Sequence, residues 1–395
     1  MSSLCHAEVA VSMKVLIVAN SDWGMYNFRL PLAAALLAHG VEVVLLCPEG
    51  PYSARMRKAG HRVLDWHLRR RSLGPIAEAG ALLHLVRLYR KERPDAVHHF
   101  TVKPNIYGTL AASWAGVPHI VNTWTGLGFV FSQTGRARAI RVILIPIMKW
   151  IGHLRRVWTV FQIQRDLQTF IDRRLVRSER AVVIAGTGVD VSRYSPIESA
   201  PSEAPIVLMA SRLLWEKGVG EFVQAATLLR DRGVATRLWL AGAPDPGNPG
   251  SLTSDEMERL EQEGAVTLLG HRSDMPDLLR QASVFVLPTY YNEGVPLSLL
   301  EAAATGLPLV ATDIEGCQIV VHHCVNGFIV PRRDSEALAE AIAVLAADPE
   351  LRLQMGRAGR EIAVNDFDQD GTVKQYLNVY RRLGLLREET RAAES

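Results

Sequence analysis

The chain has 395 residues, 48% hydrophobic and 22% charged, the composition of soluble globular proteins and too long for a single core. No run of eighteen apolar residues occurs, which argues against a spanning helix, and the run at 15–19 is too short for a secretory signal. The net charge of +3 hides a split: residues 1–200 carry 26 Lys and Arg against 13 Asp and Glu, and residues 201–395 carry 18 against 28. The first half is therefore expected to meet something anionic, such as a membrane surface, phosphates or nucleic acid. The four cysteines form no C-x-x-C pair, which favours free thiols in a reducing cytoplasm.

In chain order, residues 1–12 read as a loose extension before Met13. KVLIVA (14–19) is a buried strand, 30–39 a helix ending at Gly40, and VEVVLLC (41–47) a second strand. GALLHLVRLYRKER is a helix stopped by Pro94, followed by strands in DAVHHF, PHIVNTW, RVWTVF and RAVVIA. After a Pro- and Ser-rich stretch at 195–205 the alternation restarts. IVLMAS, TRLWLAG, AVTLLG, VFVLPT, PLVATD and FIVP are strands, with helices at 219–232, 275–282 and 296–305, and one more amphipathic helix at 369–386. Such alternation predicts an α/β protein of two doubly wound, Rossmann-like parallel-sheet domains. Their expected limits are 1–195, 196–368 and a C-terminal helix at 369–395 that returns to the first domain. Ligands of such sheets bind at the carboxyl ends of the strands.

The stretch YYNEGVPLSLLEAAATGLPLVATD (290–313) places Glu293 and Gly294 in a turn between a strand and a helix, with Pro296 in the helix's first turn. Amides after Gly294 would be orphan donors at a helix N-terminus, suited to an anion. Glu301 lies one to two turns further on. The two glutamates either bind hydroxyls of a sugar and a ribose beside a phosphate, or serve as surface and capping residues. In SRLLWEKGVGEF (211–222), Arg212 and Lys217 stand at a strand end and a helix start. They are either solvated cations or a pair opposing a diphosphate. No P-loop pattern is present.

In the first half, ANSDWGMYNFRLPL (19–32) is the first strand–loop–helix turn, HHFTVKPNIYG (98–108) places Lys103 and Asn105 at a strand end, and NTWTGLGF (122–129) adds Gly126 and Gly128. Each is an ordinary loop or part of a binding surface. Residues 136–156 hold six cations and no acid among many apolar residues, fitting a helix in a membrane interface or a core helix with Arg at its rim. DFDQDG (366–371) lacks the twelfth-position glutamate of a calcium loop, where Leu377 stands. CQIVVHHC (317–324) lacks zinc spacing and reads as a buried helix beginning near Gln318.

Together, SRLLWEKG and NEGVPLSLLEAAATGLPLVATD resemble glycosyltransferase family 4, the retaining nucleotide-sugar transferases of GT-B fold. The likeness runs from Met13 to about Leu386. YNFRLPL, KPNIYGTLAA and VNTWTGLGFVF are similar to the branch that builds polysaccharide and glycan precursors on bacterial polyprenyl diphosphate, including N-acetylgalactosaminyltransferases of N-glycan precursor assembly. The resemblance implies a UDP-sugar donor, often an N-acetylhexosamine, a lipid-linked saccharide acceptor at the inner membrane, and no metal; no nucleic acid is expected, since the basic residues lack aromatic stacking platforms in a recognisable motif. It implies that Arg212 and Lys217 hold the donor diphosphate, Glu293 the donor sugar, and Glu301 the ribose. The amides following Gly294, those of Val295 and Leu297, would lie on the phosphates, and Arg272 by the base. Gly24, Tyr26, Asn27, Lys103 and Asn105 would line the acceptor side. One position departs: Ile319 stands where the family usually has glutamate. Two other readings share these features, a non-hydrolysing UDP-sugar epimerase and a non-catalytic binding module at the membrane.

Overall fold

The computed structural model describes residues 13–68, 74–126, 135–196, 204–291 and 293–387. The extension 1–12, the Gly128 loop and most of the Pro- and Ser-rich linker lie outside the described residues. The chain divides into two compact units, one of residues 1–184 with 373–395, the other of 185–372. Residues 185–195 belong to the second unit rather than the first. Val189 is buried in the second unit's core, and its N–H donates to the carbonyl of Phe367 at 2.8 Å.

The first unit carries strands β1 (Lys14–Val18), β2 (Glu42–Cys47), β3 (Arg62–Asp65), β4 (Ala96–Phe100), β5 (His119–Trp124), β6 (Val157–Phe161) and β7 (Ala181–Val183). They form one parallel sheet in the order β3-β2-β1-β4-β5-β6-β7. Its helices are α1 (Asp22–Phe28), α2 (Leu30–Ala38), α3 (Pro51–Lys58), α4 (Pro75–Glu92), α5 (Thr109–Ala115), α6 (Gly135–His153) and α7 (Gln164–Asp172). β4, β5 and β6 are almost wholly buried, as expected for strands covered on both faces. Helix α1 lies where the sequence suggested an open loop. Ser21 caps it by accepting from the Gly24 amide, and Pro31 sits in the first turn of the next helix.

The second unit contains β8 (Ile206–Ala210), β9 (Arg237–Ala241), β10 (Thr267–Gly270), β11 (Val284–Leu287), β12 (Leu309–Thr312) and β13 (Gly327–Val330), all parallel in the order β10-β9-β8-β11-β12-β13. Its helices are α8 (Val219–Asp231), α9 (Ser254–Glu263), α10 (Met275–Gln281), α11 (Leu297–Ala304), α12 (Glu315–Gln318), α13 (Ser335–Ala347) and α14 (Pro349–Asp366). Helix α15 (Gln369–Arg382) starts there and continues into the first unit. Two sequence expectations need correction. The helix placed from Gln318 onward ends there instead, since α12 is a single turn, and Pro296 precedes α11 as its N-cap. In both sheets the order reverses beside the first strand, at β1/β4 and at β8/β11, the points where such sheets take ligands.

The expected interfacial helix is α6. Its Met148, Ile151 and Gly152 are buried, Met148 and Ile151 in a core shared with Trp124 and Phe170. Val142, Pro146, Lys149, Trp150 and His153 are exposed. Part of its apolar surface therefore serves the unit's own core. Among the described residues no helix is long and apolar enough to cross a membrane.

Candidate active site

The chain leaves β8 through Ser211 and Arg212, then makes a 3-10 turn at Trp215–Lys217 and reaches Gly218 with φ 87°. Glycine is needed here: the backbone is left-handed, and a side chain would run into the carbonyl of Pro288, just past β11. This approach brings Lys217 to the exit of the neighbouring strand. Its Nζ forms an ion pair with Glu293 Oε1, with 12% and 13% of the two side chains exposed. Thr289 Oγ1 lies 3.2 Å from the same carboxylate oxygen and 3.1 Å from the Glu216 carbonyl. Its single proton serves one of them at a time.

Beyond Glu293 the turn is pressed against α12, where Gly316 lies so close that a side chain would overlap the Gly294 carbonyl. Pro296, extended at φ −70° and ψ 118°, precedes α11, and no side chain caps that helix. The amides of Leu299 and Leu300 donate to the Pro296 carbonyl at 3.2 and 3.3 Å, which leaves those of Leu297 and Ser298 as the donors at the start of α11 without an intrahelical acceptor. Ile319 caps the far end of α12 and packs on the core of this unit.

Glu301 sits on the fifth position of α11, only partly exposed. Burial pushes its carboxyl up to about 7, opposed by the nearby Tyr194 hydroxyl and by the charge of Arg193.

Arg212 and Arg272 are held apart from this pair. Arg212 donates to Asp245 at 2.7 Å, with 45% of its side chain exposed. Lys217 thus pairs with Glu293, and Arg212 with a carboxylate on the loop after β9. Arg272 forks onto Asp274, 2.8 Å from Nε to Oδ1. That pairing holds Asp274 below the usual carboxylate range.

In the first unit, Gly24 occupies the first turn of α1 and Asn27 donates to the Trp23 carbonyl at 2.9 Å, while the Tyr26 ring lies 5.2 Å from that of Tyr52. Lys103 and Asn105 follow β4, where Pro104–Gly108 form a π-helical turn. Lys103 bonds both oxygens of Glu78 at 2.9 and 3.0 Å. Asn105 is fully buried, its Nδ2 donating to the Thr123 carbonyl at 3.1 Å and its Oδ1 without a partner among the described residues. Thr101, just before them, has a strained φ of 78°.

Sequence reasoning missed Thr289, Tyr194, Asp245 and Glu78. Thr289 ends VFVLPT, the strand before the glutamate turn, so its place was readable. The other three gave no local signal, because their partners are distant in sequence.

A model described as Glycosyl transferase 4-like matches residues 14–155, and one described as Glycosyl transferases group 1 matches residues 190–362. The chain is 29% identical, over 94% of its length and 99% of the relative's, to the N,N'-diacetylbacillosaminyl-diphospho-undecaprenol alpha-1,3-N-acetylgalactosaminyltransferase of Campylobacter jejuni. It is 27% identical to the UDP-Gal:alpha-D-GlcNAc-diphosphoundecaprenol alpha-1,3-galactosyltransferase of Escherichia coli, over 78% of this chain and 81% of that one. Anabaena Alr3699/HepE, solved in complex with UDP, superposes with a TM-score of 0.75 over 94% of this chain and 100% of the other, at 21% identity, and shares the two-sheet GT-B fold. With these matches over both sheet units, the chain belongs to glycosyltransferase family 4, the retaining, nucleotide-sugar-dependent glycosyltransferases.

Proposed function

We propose that this enzyme moves a sugar, an N-acetylhexosamine, from a UDP-sugar to a polyprenyl-diphosphate-linked saccharide, in bacterial polysaccharide or glycan precursor assembly. The observation that carries the reading is the Lys217–Glu293 pair beside the uncapped N-terminus of α11. A cation with an exchangeable partner and the first amides of a helix suit a diphosphate leaving group. The relatives add the substrate class: two act on undecaprenyl-diphosphate-linked sugars, and one neighbour was solved with UDP.

In this reading Lys217 and the amides after Gly294, that of Val295 in the turn and that of Leu297 at the start of α11, take up the charge that grows on the departing diphosphate. Arg212 joins them by exchanging Asp245 for a phosphate oxygen. Glu293, released from Lys217, accepts from donor sugar hydroxyls. Glu301 accepts from the ribose, and Arg272 lies by the base. The acceptor hydroxyl attacks on the face from which the diphosphate departs, and a phosphate oxygen takes its proton. That front-face course gives retention. Gly24, Tyr26, Asn27, Lys103 and Asn105 line the acceptor side. With the leaving charge held by protein cations and amides, activity should survive EDTA. The exposed apolar face of α6 would rest on the inner face of the cytoplasmic membrane.

The test is transfer from a panel of labelled UDP-sugars to a polyprenyl-diphosphate-linked acceptor, with Glu293→Ala alongside. Transfer of one sugar, lost in the variant, supports the reading. Conversion of a UDP-sugar without any acceptor would replace it with the epimerase reading.

A further inference from the structure

Thr289 stands where the exit of β11 meets the 3-10 turn that carries Lys217, and it is fully buried. Its surroundings are fixed from two sides. Thr312, on β12, donates its hydroxyl to the Thr289 carbonyl. The next two amides, of Tyr290 and Tyr291, donate to the Glu216 carbonyl at 3.0 and 3.1 Å. The Thr289 hydroxyl therefore has a set origin and few partners. It accepts from the Tyr291 amide at 3.2 Å. Two acceptors lie in its reach, the Glu216 carbonyl at 3.1 Å and Glu293 Oε1 at 3.2 Å. Both lone pairs of that carbonyl are already engaged by the two amides. The carboxylate is also the stronger acceptor, since charge-assisted hydrogen bonds are about twice as strong as neutral ones. The count therefore gives the Thr289 proton to Glu293. It lands on Oε1, the oxygen that Lys217 also bonds.

We infer that Thr289 is a positioning residue for the donor sugar: its hydroxyl anchors Oε1 of Glu293, so the carboxylate keeps its orientation when Lys217 exchanges it for the diphosphate. The inference rests on the roles given to Glu293 and Lys217 above. In the ion pair, lysine and threonine share Oε1. Once the lysine turns to the diphosphate, a carboxylate without another anchor is free to rotate, and ordering it again on the sugar costs free energy. The threonine bond removes that freedom. It leaves the lone pairs of Oε2 to accept from sugar hydroxyls. Thr289 is buried, so it acts on the sugar through the carboxylate and leaves the nucleotide's own contacts alone.

Thr289→Val removes the hydroxyl and keeps the branched shape. Calorimetry on the full-length enzyme would compare UDP with the UDP-sugar that the transfer panel identifies as donor. The proteins are the unaltered enzyme, Thr289→Val, Thr289→Ser, Glu293→Ala, and Thr289→Val combined with Glu293→Ala. Thr289→Val should bind the UDP-sugar about tenfold more weakly, the loss of one hydrogen bond to a charged group, and UDP within about twofold of the unaltered enzyme. Thr289→Ser, which keeps the hydroxyl, should retain the affinity. With Glu293→Ala already present, Thr289→Val should cost nothing further, because the two residues act as one unit. Unchanged UDP-sugar affinity in Thr289→Val overturns the inference. So does an equal loss for UDP and UDP-sugar, which would mean a displaced turn. A Ser variant as weak as Val, or the same Thr289→Val loss with and without Glu293, overturns it too. If the panel yields no donor, or Glu293→Ala binds the UDP-sugar like the unaltered enzyme, the sugar role itself fails and the inference with it. Should Thr289→Val not fold, Thr289→Ala goes through the same cycle and is held to the same outcomes.

Discussion

Lys217 and Glu293 are ion-paired across the exits of two adjacent strands, β8 and β11, with 12% and 13% of their side chains exposed. The pair is sheltered enough to hold its geometry and open enough to be exchanged for a ligand. A cation whose partner can be replaced by phosphate is suited to a charge that appears only as the bond breaks. Lys217→Ala should therefore lower kcat roughly a hundredfold or more, the cost of about 3 kcal/mol in transition-state stabilisation. Steady-state kinetics with saturating donor read this directly. Turnover at the unaltered rate would remove Lys217 from the mechanism.

The turn that carries Glu293 is held by a backbone contact. Gly316 of α12 lies against the Gly294 carbonyl with no room for a side chain. Gly316→Ala should push the turn away from α12 and cost about 1–3 kcal/mol of stability. Its loss of kcat should exceed what the stability change explains. Gly371, with nothing near the position of an added side chain, is the control. Gly371→Ala should stay within about 0.5 kcal/mol of the unaltered protein. Urea unfolding of the two variants, with kcat alongside, checks the contrast.

Much of this arrangement was legible in the sequence. Parallel strands buried on both faces appear as unbroken apolar runs, so β1, β2, β4 and β8 were read within a residue or two. The Glu293 turn was readable because a strand, an acid–glycine turn and an apolar helix follow one another without a gap. β3 was missed, being four residues with a charge at each end. Helices α13 and α14 were also missed, although Asp334 and Asp348 cap them in the usual way. The ion-pair partners could not be read. Asp245 is 33 residues from Arg212, and only the sheet order brings the loops after β8 and β9 together. For the same reason the sequence left Arg212 and Lys217 as solvated cations or as a pair opposing a diphosphate, and showed neither the Glu293 nor the Asp245 partner.

Helix α6 leads to a membrane prediction. Val142 is 73% and Trp150 47% exposed, with Lys149 beside them. Two large apolar groups on one outward face, next to a cation, suit the headgroup region of an anionic bilayer. Vesicles of phosphatidylglycerol and phosphatidylcholine should co-sediment with the protein, and Trp150→Ala should reduce the bound fraction several-fold. Raising salt should weaken binding further. Equal binding by the variant would remove α6 from the membrane contact.

A pair of buried histidines makes the stability of the first unit sensitive to acid. His98 bonds Tyr380 Oη at 2.9 Å and Thr123 Oγ1 at 2.8 Å. His99 bonds Tyr89 Oη at 3.0 Å and Asn122 Oδ1 at 2.8 Å. Both rings are fully buried. Burial drives His98 well below the ordinary imidazole value and His99 down to about 4. The folded state therefore keeps both neutral, while the unfolded chain takes up protons near pH 6.5. Unfolding is proton-consuming between those values, so stability is full above about pH 6.5 and is lost as pH falls toward 4. Each histidine then contributes a loss of about 1.4 kcal/mol per pH unit, or about 2 kcal/mol at pH 5. Glu301, in the second unit, has the opposite sign, because its raised carboxyl costs stability as pH rises from 4.5 toward 7. The histidine effect is therefore isolated by subtraction. Urea unfolding at pH 7 and pH 5 should show the unaltered protein losing about 2 kcal/mol more than His99→Gln. Equal losses in the two proteins would mean that His99 is protonated in the folded state and that its buried network does not hold it neutral.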